Sequence, residues 1–161
     1  MKKVGIGLLV ILLLLQAYRP AKNDSNKLDN DISKSYDVPV DVKQILAKAC
    51  NDCHSNNTTY PWYSNVQPIR FWLDDHVKDG KRHMNFNEFN SYQIARQYKK
   101  LEECIEQVKE GDMPLESYTL IHKNAILTNQ EKQQLFDWCT SVRDSIKARY
   151  PADSLVLPKR K

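Results

Sequence analysis

Apolar residues recur at helical spacing in three stretches of the chain. The stripes are Val42, Ile45, Leu46 and Ala49; Ile94, Tyr98, Leu101, Ile105 and Val108; and Leu135, Trp138, Cys139, Val142 and Ile146. A spacing of three or four residues puts such side chains on one face of an α-helix. Gly111 and Pro151 are the expected stops of the second and third helices. Thr128 and Glu131 predict a capping box at the start of the third.

A further short helix is predicted in the stretch "IRFWLDDHVKDG", ending at Gly80. No alternating run is long enough to predict a strand, so we expect an all-α domain of about four helices joined by long loops. The loop 55–68 should be ordered, because Tyr60, Trp62 and Tyr63 need burial, and we expect Trp72 and Trp138 in the core. Long loops in a small domain usually enclose something.

The N-terminus carries an uncharged apolar run, Val4 to Tyr18, directly after Lys2 and Lys3. As a helix it would be about 22 Å long, which is short of the roughly 30 Å hydrocarbon core. Small residues are poorly placed for cleavage, which favours a signal anchor over a signal peptide. The rest of the chain would then lie on the periplasmic side of the cytoplasmic membrane, or be secreted to the periplasm if cleavage occurs.

The predicted organisation has four parts. Residues 1–21 form the signal anchor or signal peptide, 22–37 a polar, solvated linker, 38–150 the folded domain, and 151–161 a loose basic tail. Of the net charge of +4, three positive charges lie within residues 1–21, which leaves 21 basic and 20 acidic side chains. A nearly neutral domain argues against nucleic-acid binding, and four glycines in all argue against a phosphate-binding loop.

The chemistry of the chain is concentrated in "ACNDCHSNN", where Cys50, Cys53 and His54 lie within five positions. A zinc site usually has a second close ligand pair, and a thioredoxin-like dithiol follows a strand. A Cys50–Cys53 disulfide would close a very tight loop and leave His54 unexplained. C-x-x-C-H is the attachment signature of a c-type haem, in which two thiols add to the vinyl groups and the adjacent imidazole reaches the iron.

The second axial ligand must come from distant sequence. We predict Met113, because it precedes Pro114 in an irregular segment between helices, and His/Met ligation raises the reduction potential. His83 is the alternative. We expect the Pro68 carbonyl to accept the other ring N–H of His54. Side chains expected at the haem edge or its propionates are Trp62, Tyr63 and Arg70.

From about Val38 to Trp138 the chain resembles the bacterial membrane-anchored haem-binding domain family of cytochrome-c-like proteins. The matching pieces are "CNDCHSN", "YPWYS", "RHMNFNEF", "GDMPLESY" and "LTNQEKQQLFDW", preceded by "YRPAKN". The resemblance implies a small cytochrome-c-like helical domain around one covalent haem c, held by Cys50 and Cys53. It implies His54 as proximal ligand and Met113 as distal ligand.

Two functions are consistent with such a site. The first is single-electron transfer at the outer face of the membrane, without enzymatic turnover, to a redox partner that the sequence does not identify. The alternative is small-ligand binding or peroxidase-like activity at an open distal position, with His83 or His76 as the polar distal group. Cys104 and Cys139 lie outside the family pattern, and could be inert apolar residues or a disulfide between two helices.

Overall fold

Seven α-helices build the chain in the computed structural model, which describes residues 2–158. They are α1 (Lys2–Leu15), α2 (Val40–Ala49), α3 (Asn51–His54), α4 (Ile69–His83), α5 (Ile94–Glu110), α6 (Glu116–Ile121) and α7 (Asn129–Arg149). Five 3-10 turns lie between or after them, at Ile32–Lys34, Trp62–Asn65, Phe86–Ser91, Lys123–Ala125 and Ala152–Leu155. Within residues 2–158 the only extended pairing is a single bridge from Asp24 to Asn57. The all-α prediction is confirmed.

The core lies between α2, α5 and α7, and it is built from the three predicted apolar stripes. Leu101 and Leu135 are fully buried where α5 packs on α7, and Ile45 faces them from α2. The predicted helix ends on α5 and α7 are also confirmed. Gly111 has φ 88° and caps α5, and the capping box of Thr128 and Glu131 opens α7.

Gly80 is not the helix stop that we predicted, because α4 continues to His83. A Cβ atom at Gly80 would lie 2.6 Å from the carbonyl oxygen of Cys53. The glycine is therefore needed for a close approach of α4 to α3, and not for a turn.

The segment 22–37 packs against the domain, and the prediction of a solvated linker is wrong there. Ile32 and Tyr36 are buried in the core, together with Val38. The Asn23 side chain donates to the Ser55 carbonyl at 2.9 Å. We call residues 20–38 the N-terminal strap. Polar side chains of the strap form hydrogen bonds with the domain. Its composition is therefore polar, like that of a linker, although the segment is packed.

The two ends of the described chain differ in their packing. In α1 no residue is buried, and within residues 2–158 we find no helix with the length and apolar character that crossing a membrane requires. At the other end, Leu155 packs against the core, so residues 152–155 are not the loose tail we expected. The final basic residues, 159–161, lie outside the described residues.

Two of the aromatic predictions are also wrong. Trp62 is 81% exposed and Trp72 is 47% exposed. Trp138 is buried as expected, and its indole N–H donates to the Asp37 carbonyl at 2.9 Å.

Candidate functional site

The two thiols and the imidazole of the C-x-x-C-H motif are presented by one short helix. Cys50 ends α2, and α3 carries Cys53 and His54. The Cys50 carbonyl accepts the backbone N–H groups of both Cys53 (3.2 Å) and His54 (2.9 Å). One tight turn therefore gathers all three side chains, each partly buried.

His54 is held in a defined tautomer by the chain that follows α4. Its Nδ1 lies 2.9 Å from the carbonyl oxygen of Met84. A carbonyl can only accept, so Nδ1 carries the proton and Nε2 is left with its lone pair. Burial lowers the pKa of His54, which favours the neutral ring. This is the arrangement in which histidine acts as a metal ligand through Nε2.

The expected partner of His54, the Pro68 carbonyl, is engaged elsewhere. It accepts the backbone N–H of Phe71 at 3.1 Å and of Trp72 at 3.3 Å, in the first turn of α4. Met84 was a missed residue, because the sequence does not reveal that α4 extends past Gly80 and brings its C-terminal end against the motif.

The thiols of the motif are protonated at neutral pH. Burial raises the pKa of Cys53 to about 11, with a further contribution from the charge of Asp52. Burial also raises the pKa of Cys50, and the neighbouring Cys104 and Cys53 add to the shift. A reactive dithiol has a lowered pKa, so these raised values argue against a thioredoxin-like pair. Among residues 2–158, no three His, Cys, Asp or Glu side chains are grouped as a metal ion would require.

Asp52, inside the motif, binds two segments that come later in the chain. One carboxylate oxygen accepts the Thr59 backbone N–H at 2.9 Å, and the other accepts the Tyr118 hydroxyl at 2.7 Å. Burial and this hydrogen bond raise the pKa of Tyr118. Tyr118 lies on α6, so Asp52 connects the motif to the segment 112–122.

Tyr63 joins the same cluster from the aromatic loop. Its hydroxyl lies 2.9 Å from Nε2 of His122, and the His122 ring stacks on Tyr118 with 4.3 Å between ring centroids. His122 is therefore accounted for by Tyr63 and Tyr118. The sequence contained one signal for this cluster, the tyrosine in "GDMPLESY", but not the identity of its partner.

Met113 lies between α5 and α6, on the segment that Tyr118 ties to the motif. Its backbone N–H donates to the Gln107 carbonyl at 3.1 Å, next to the Gly111 cap, and its partly buried side chain packs against the core. The structure thus places Met113 on a segment separate from α4, and its role as distal ligand stays a prediction.

His83, the alternative distal ligand, directly precedes Met84, whose carbonyl contacts Nδ1 of His54. The His83 side chain is 67% exposed and lies 3.8 Å from Asp79.

Arg70 and Trp62, both expected at the haem edge, have different surroundings. The Arg70 guanidinium is buried, donates to the carbonyls of Pro20 and Ser64, and lies over the Tyr60 ring. These contacts attach the strap to α4. Trp62 contacts Tyr63 edge-to-face but is otherwise mostly exposed.

A network of asparagines fixes the chain around the motif. Asn56 donates through its side chain to the Lys27 carbonyl (3.0 Å) and Glu88 (2.8 Å), and it accepts from the Asn85 side chain at 2.8 Å. Its backbone N–H donates to the Asn87 side chain at 2.7 Å. The strap, the chain after the motif and the chain after α4 are thus joined at one buried residue.

Cys104 and Cys139 face each other where α5 packs on α7. Both are free thiols in the structure and not the disulfide that we considered. A hydrogen bond between them lowers the pKa of Cys104 and raises that of Cys139. Cys139 is fully buried, in agreement with a role as a small apolar core residue.

Comparison with known sequences identifies the family of the chain. The family model described as a haem-binding domain matches residues 10–141, which is most of the chain. Searches of curated proteins and of solved structures give no significant match. The matched range contains the C-x-x-C-H motif, Met84 and Met113, and the chain belongs to the haem-binding domain family.

Proposed function

We propose that this protein is an electron carrier with one covalently attached c-type haem, and that it turns over no substrate. The observation that carries the proposal is the geometry of the motif, in which the Nδ1–H of His54 is fixed on the Met84 carbonyl and two thiols lie on the same turn. Haem binding follows from the family. The covalent attachment and the electron transfer are our inference.

The side chains of the site have the donor atoms that a c-type haem requires. Thioether bonds form from two cysteines on one turn, and Cys50 and Cys53 are arranged in this way. His54 offers a neutral Nε2, and Met113 offers a thioether sulfur from a separate segment. When bound, the haem supplies a one-electron ferric/ferrous couple, which His/Met ligation places at a high potential.

The protein's own contribution is orientation and burial. The Met84 carbonyl keeps His54 in one tautomer and one rotation, which holds the donor strength of Nε2 constant. Gly80 allows α4 to press against Cys53, and Asp52 holds the Met113 segment through Tyr118. A ligand set that is fixed in this way needs little rearrangement when the charge of the site changes by one.

We favour electron transfer over an open, peroxidase-like site because the two histidines considered as distal groups have other surroundings. A peroxidase-like site requires a polar group on the distal side, whereas the His83 side chain is 67% exposed and lies 3.8 Å from Asp79. His76 is used within α4, where its Nδ1 lies 2.8 Å from the Trp72 carbonyl.

The test is to express the full chain together with a c-type maturation system. We expect pigment to stay attached after denaturation and acid–acetone extraction, and a low-spin ferric spectrum with the weak far-red sulfur-to-iron band. Met113→Ala should keep the pigment and lose the band. The matched control is Met84→Leu, which removes the other nearby thioether and should keep the band. Absence of attached pigment contradicts the covalent site, and a high-spin spectrum in the unaltered protein supports the open-site alternative.

We also propose that α1 attaches the protein to the periplasmic face of the cytoplasmic membrane. Every α1 side chain is exposed, and the apolar run is preceded by Lys2 and Lys3. Such a helix is stable in contact with lipid and costly in contact with water. Fractionation of cells that express the full chain should recover the pigment in membranes washed with high salt and carbonate. Recovery in the soluble fraction would contradict the attachment.

A further inference from the structure

The apolar helix α1 does not leave the domain through a flexible joint. Its C-terminal end is tied to the start of α4 by a reciprocal pair of hydrogen bonds. The backbone N–H of Gln67 donates to the Gln16 side chain at 2.9 Å, and that side chain donates back to the Gln67 carbonyl at 3.3 Å. The Gln67 side chain also donates to the Tyr18 carbonyl at 2.9 Å.

Further contacts fix the same junction on both sides. The Tyr18 ring stacks on Phe71 with 5.2 Å between centroids. Arg19 donates to the Asn65 carbonyl at 2.8 Å, and Arg70 donates to the carbonyl of the buried Pro20. The direction of α1 relative to α4 is therefore set by the fold.

Exposed apolar and aromatic side chains surround this junction. Four of them lie within five positions of Gln67, namely Trp62 (81% exposed), Val66 (42%), Ile69 (39%) and Trp72 (47%). The fifth, Tyr18 (61% exposed), follows α1 and stacks on Phe71. Ile69 and Trp72 are three residues apart on α4 and so share a face. We call these five residues the junction face. A cluster of this kind on a soluble surface marks an interaction site.

We propose that the junction face docks on the lipid–water interface, so that α1 and the face together form one membrane-binding surface. The proposal rests on the attachment of α1 to the membrane. Because α1 is fixed to Gln67, its entry into a bilayer brings the junction face to the headgroups. Tryptophan and tyrosine are the side chains that favour this depth.

The charges at the junction fit lipid headgroups better than a protein groove. Lys2 and Lys3 precede the apolar run, and Arg19 and Lys22 follow it, so cations lie at both of its ends. Asp74, the first acidic residue of α4, lies beyond the junction face and is paired with Lys78 at 2.7 Å.

The length of α1 supports the same conclusion. Its 14 residues correspond to about 21 Å, whereas the hydrocarbon core of a bilayer is about 30 Å thick. A short apolar helix is matched to the bilayer by thinning of the bilayer or by drawing its flanking residues inward. The residues drawn inward here are those of the junction face, which are apolar and aromatic.

The test uses tryptophan quenching in the full, haem-loaded chain. The protein is reconstituted into phosphatidylcholine–phosphatidylglycerol vesicles with and without brominated acyl chains, and the ratio of the two emission intensities is measured for each variant. Since the haem also quenches tryptophan, the ratios are compared only between variants with the same haem content. Trp138 is buried, with 5% exposure, and serves as the internal control.

We expect brominated lipid to quench a large part of the emission of the unaltered protein, and Trp62→Phe and Trp72→Phe each to lose part of this quenching. The double variant should lose nearly all of it, because only Trp138 remains. Both substitutions are at exposed positions and keep an aromatic ring, so they should leave the fold unchanged.

The experiment separates a failure of the docking from a failure of the attachment of α1 or of haem binding. If the protein floats with the vesicles but brominated lipid does not quench Trp62 or Trp72, the docking is wrong and the attachment of α1 stands. If the protein does not float with the vesicles, both are wrong. In either case the haemochrome spectrum reports separately on the haem.

Discussion

A hydrogen bond from Tyr118 to Asp52 links the Met113 segment to the C-x-x-C-H motif. Tyr118→Phe removes the hydroxyl and keeps the ring, so its stacking on His122 is preserved. The bond is 2.7 Å long and its acceptor is a carboxylate. Hydrogen bonds to charged groups contribute about 1.5–3 kcal/mol. Since Tyr118 is only partly buried, we expect a loss near the lower end, about 1.5–2 kcal/mol.

This loss has two measurable consequences. The free energy of unfolding by urea should fall by about 1.5–2 kcal/mol, which lowers the melting temperature by about 3–8 °C for a chain of this size. The same loss should weaken the hold on Met113. If the whole of it acts on the segment, an external ligand such as imidazole should displace the methionine about 10–30 times more readily.

The control is Tyr150→Phe, which removes the hydroxyl of a tyrosine that is 43% exposed. It should leave both the unfolding and the ligand exchange unchanged. If Tyr118→Phe behaves like Tyr150→Phe in urea, the bond contributes nothing to stability. If stability falls but ligand exchange is unaffected, the bond stabilises the fold without restraining Met113, and our argument about the ligand segment is refuted.

Two further predictions concern helix packing and capping. Gly80→Ala should lower the melting temperature, because the new Cβ would lie 2.6 Å from the Cys53 carbonyl oxygen and the resulting strain of about 1–3 kcal/mol exceeds the gain in helix propensity of about 1 kcal/mol. The control Gly5→Ala has nothing within 4 Å of the new Cβ and should show no loss. Equal melting temperatures of the two variants would contradict the close approach. Thr128→Ala should cost about 1 kcal/mol in urea unfolding. Hydrogen bonds from Lys48 and from Thr128 lower the pKa of Glu131 below its ordinary value of 4.5. The contribution of Glu131 to the free energy of unfolding is therefore complete above pH 4.5 and is lost as the pH falls through the lowered pKa. Glu131→Gln should reduce the acid sensitivity of unfolding, and an unchanged pH profile would refute this.

The helical core could be predicted from the sequence because its signals are local. The five residues of the α7 stripe are all buried, and the α7 capping box is present. Periodicity and capping depend on residues within one or two turns of each other. The same holds for the motif, where spacing alone brings Cys50, Cys53 and His54 onto one turn.

The contacts around the motif could not be predicted, because they join residues far apart in the chain. Met84 contacts His54 across 30 positions, and Tyr118 contacts Asp52 across 66. The prediction for Gly80 is wrong for the same reason, because the glycine is required by the close approach of Cys53 and not by the end of its own helix. The strap was misread because polar residues in a short window do not reveal whether their partners are water or other side chains.

Three distant segments contact the motif and its surroundings through hydrogen bonds, and these bonds avoid the atoms that we propose hold the haem. The strap, the end of α4 and the Met113 segment approach α3 through hydrogen bonds, at Asn56, at the His54 Nδ1 and at Asp52. Hydrogen bonds fix a position through one or two atoms, whereas apolar packing of the same strength would cover far more surface. None of these hydrogen bonds uses the atoms that we propose hold the haem, which are the two thiols and Nε2 of His54. A substitution that replaces one of these polar contacts with apolar bulk should disturb haem attachment even where it preserves the stability of the fold.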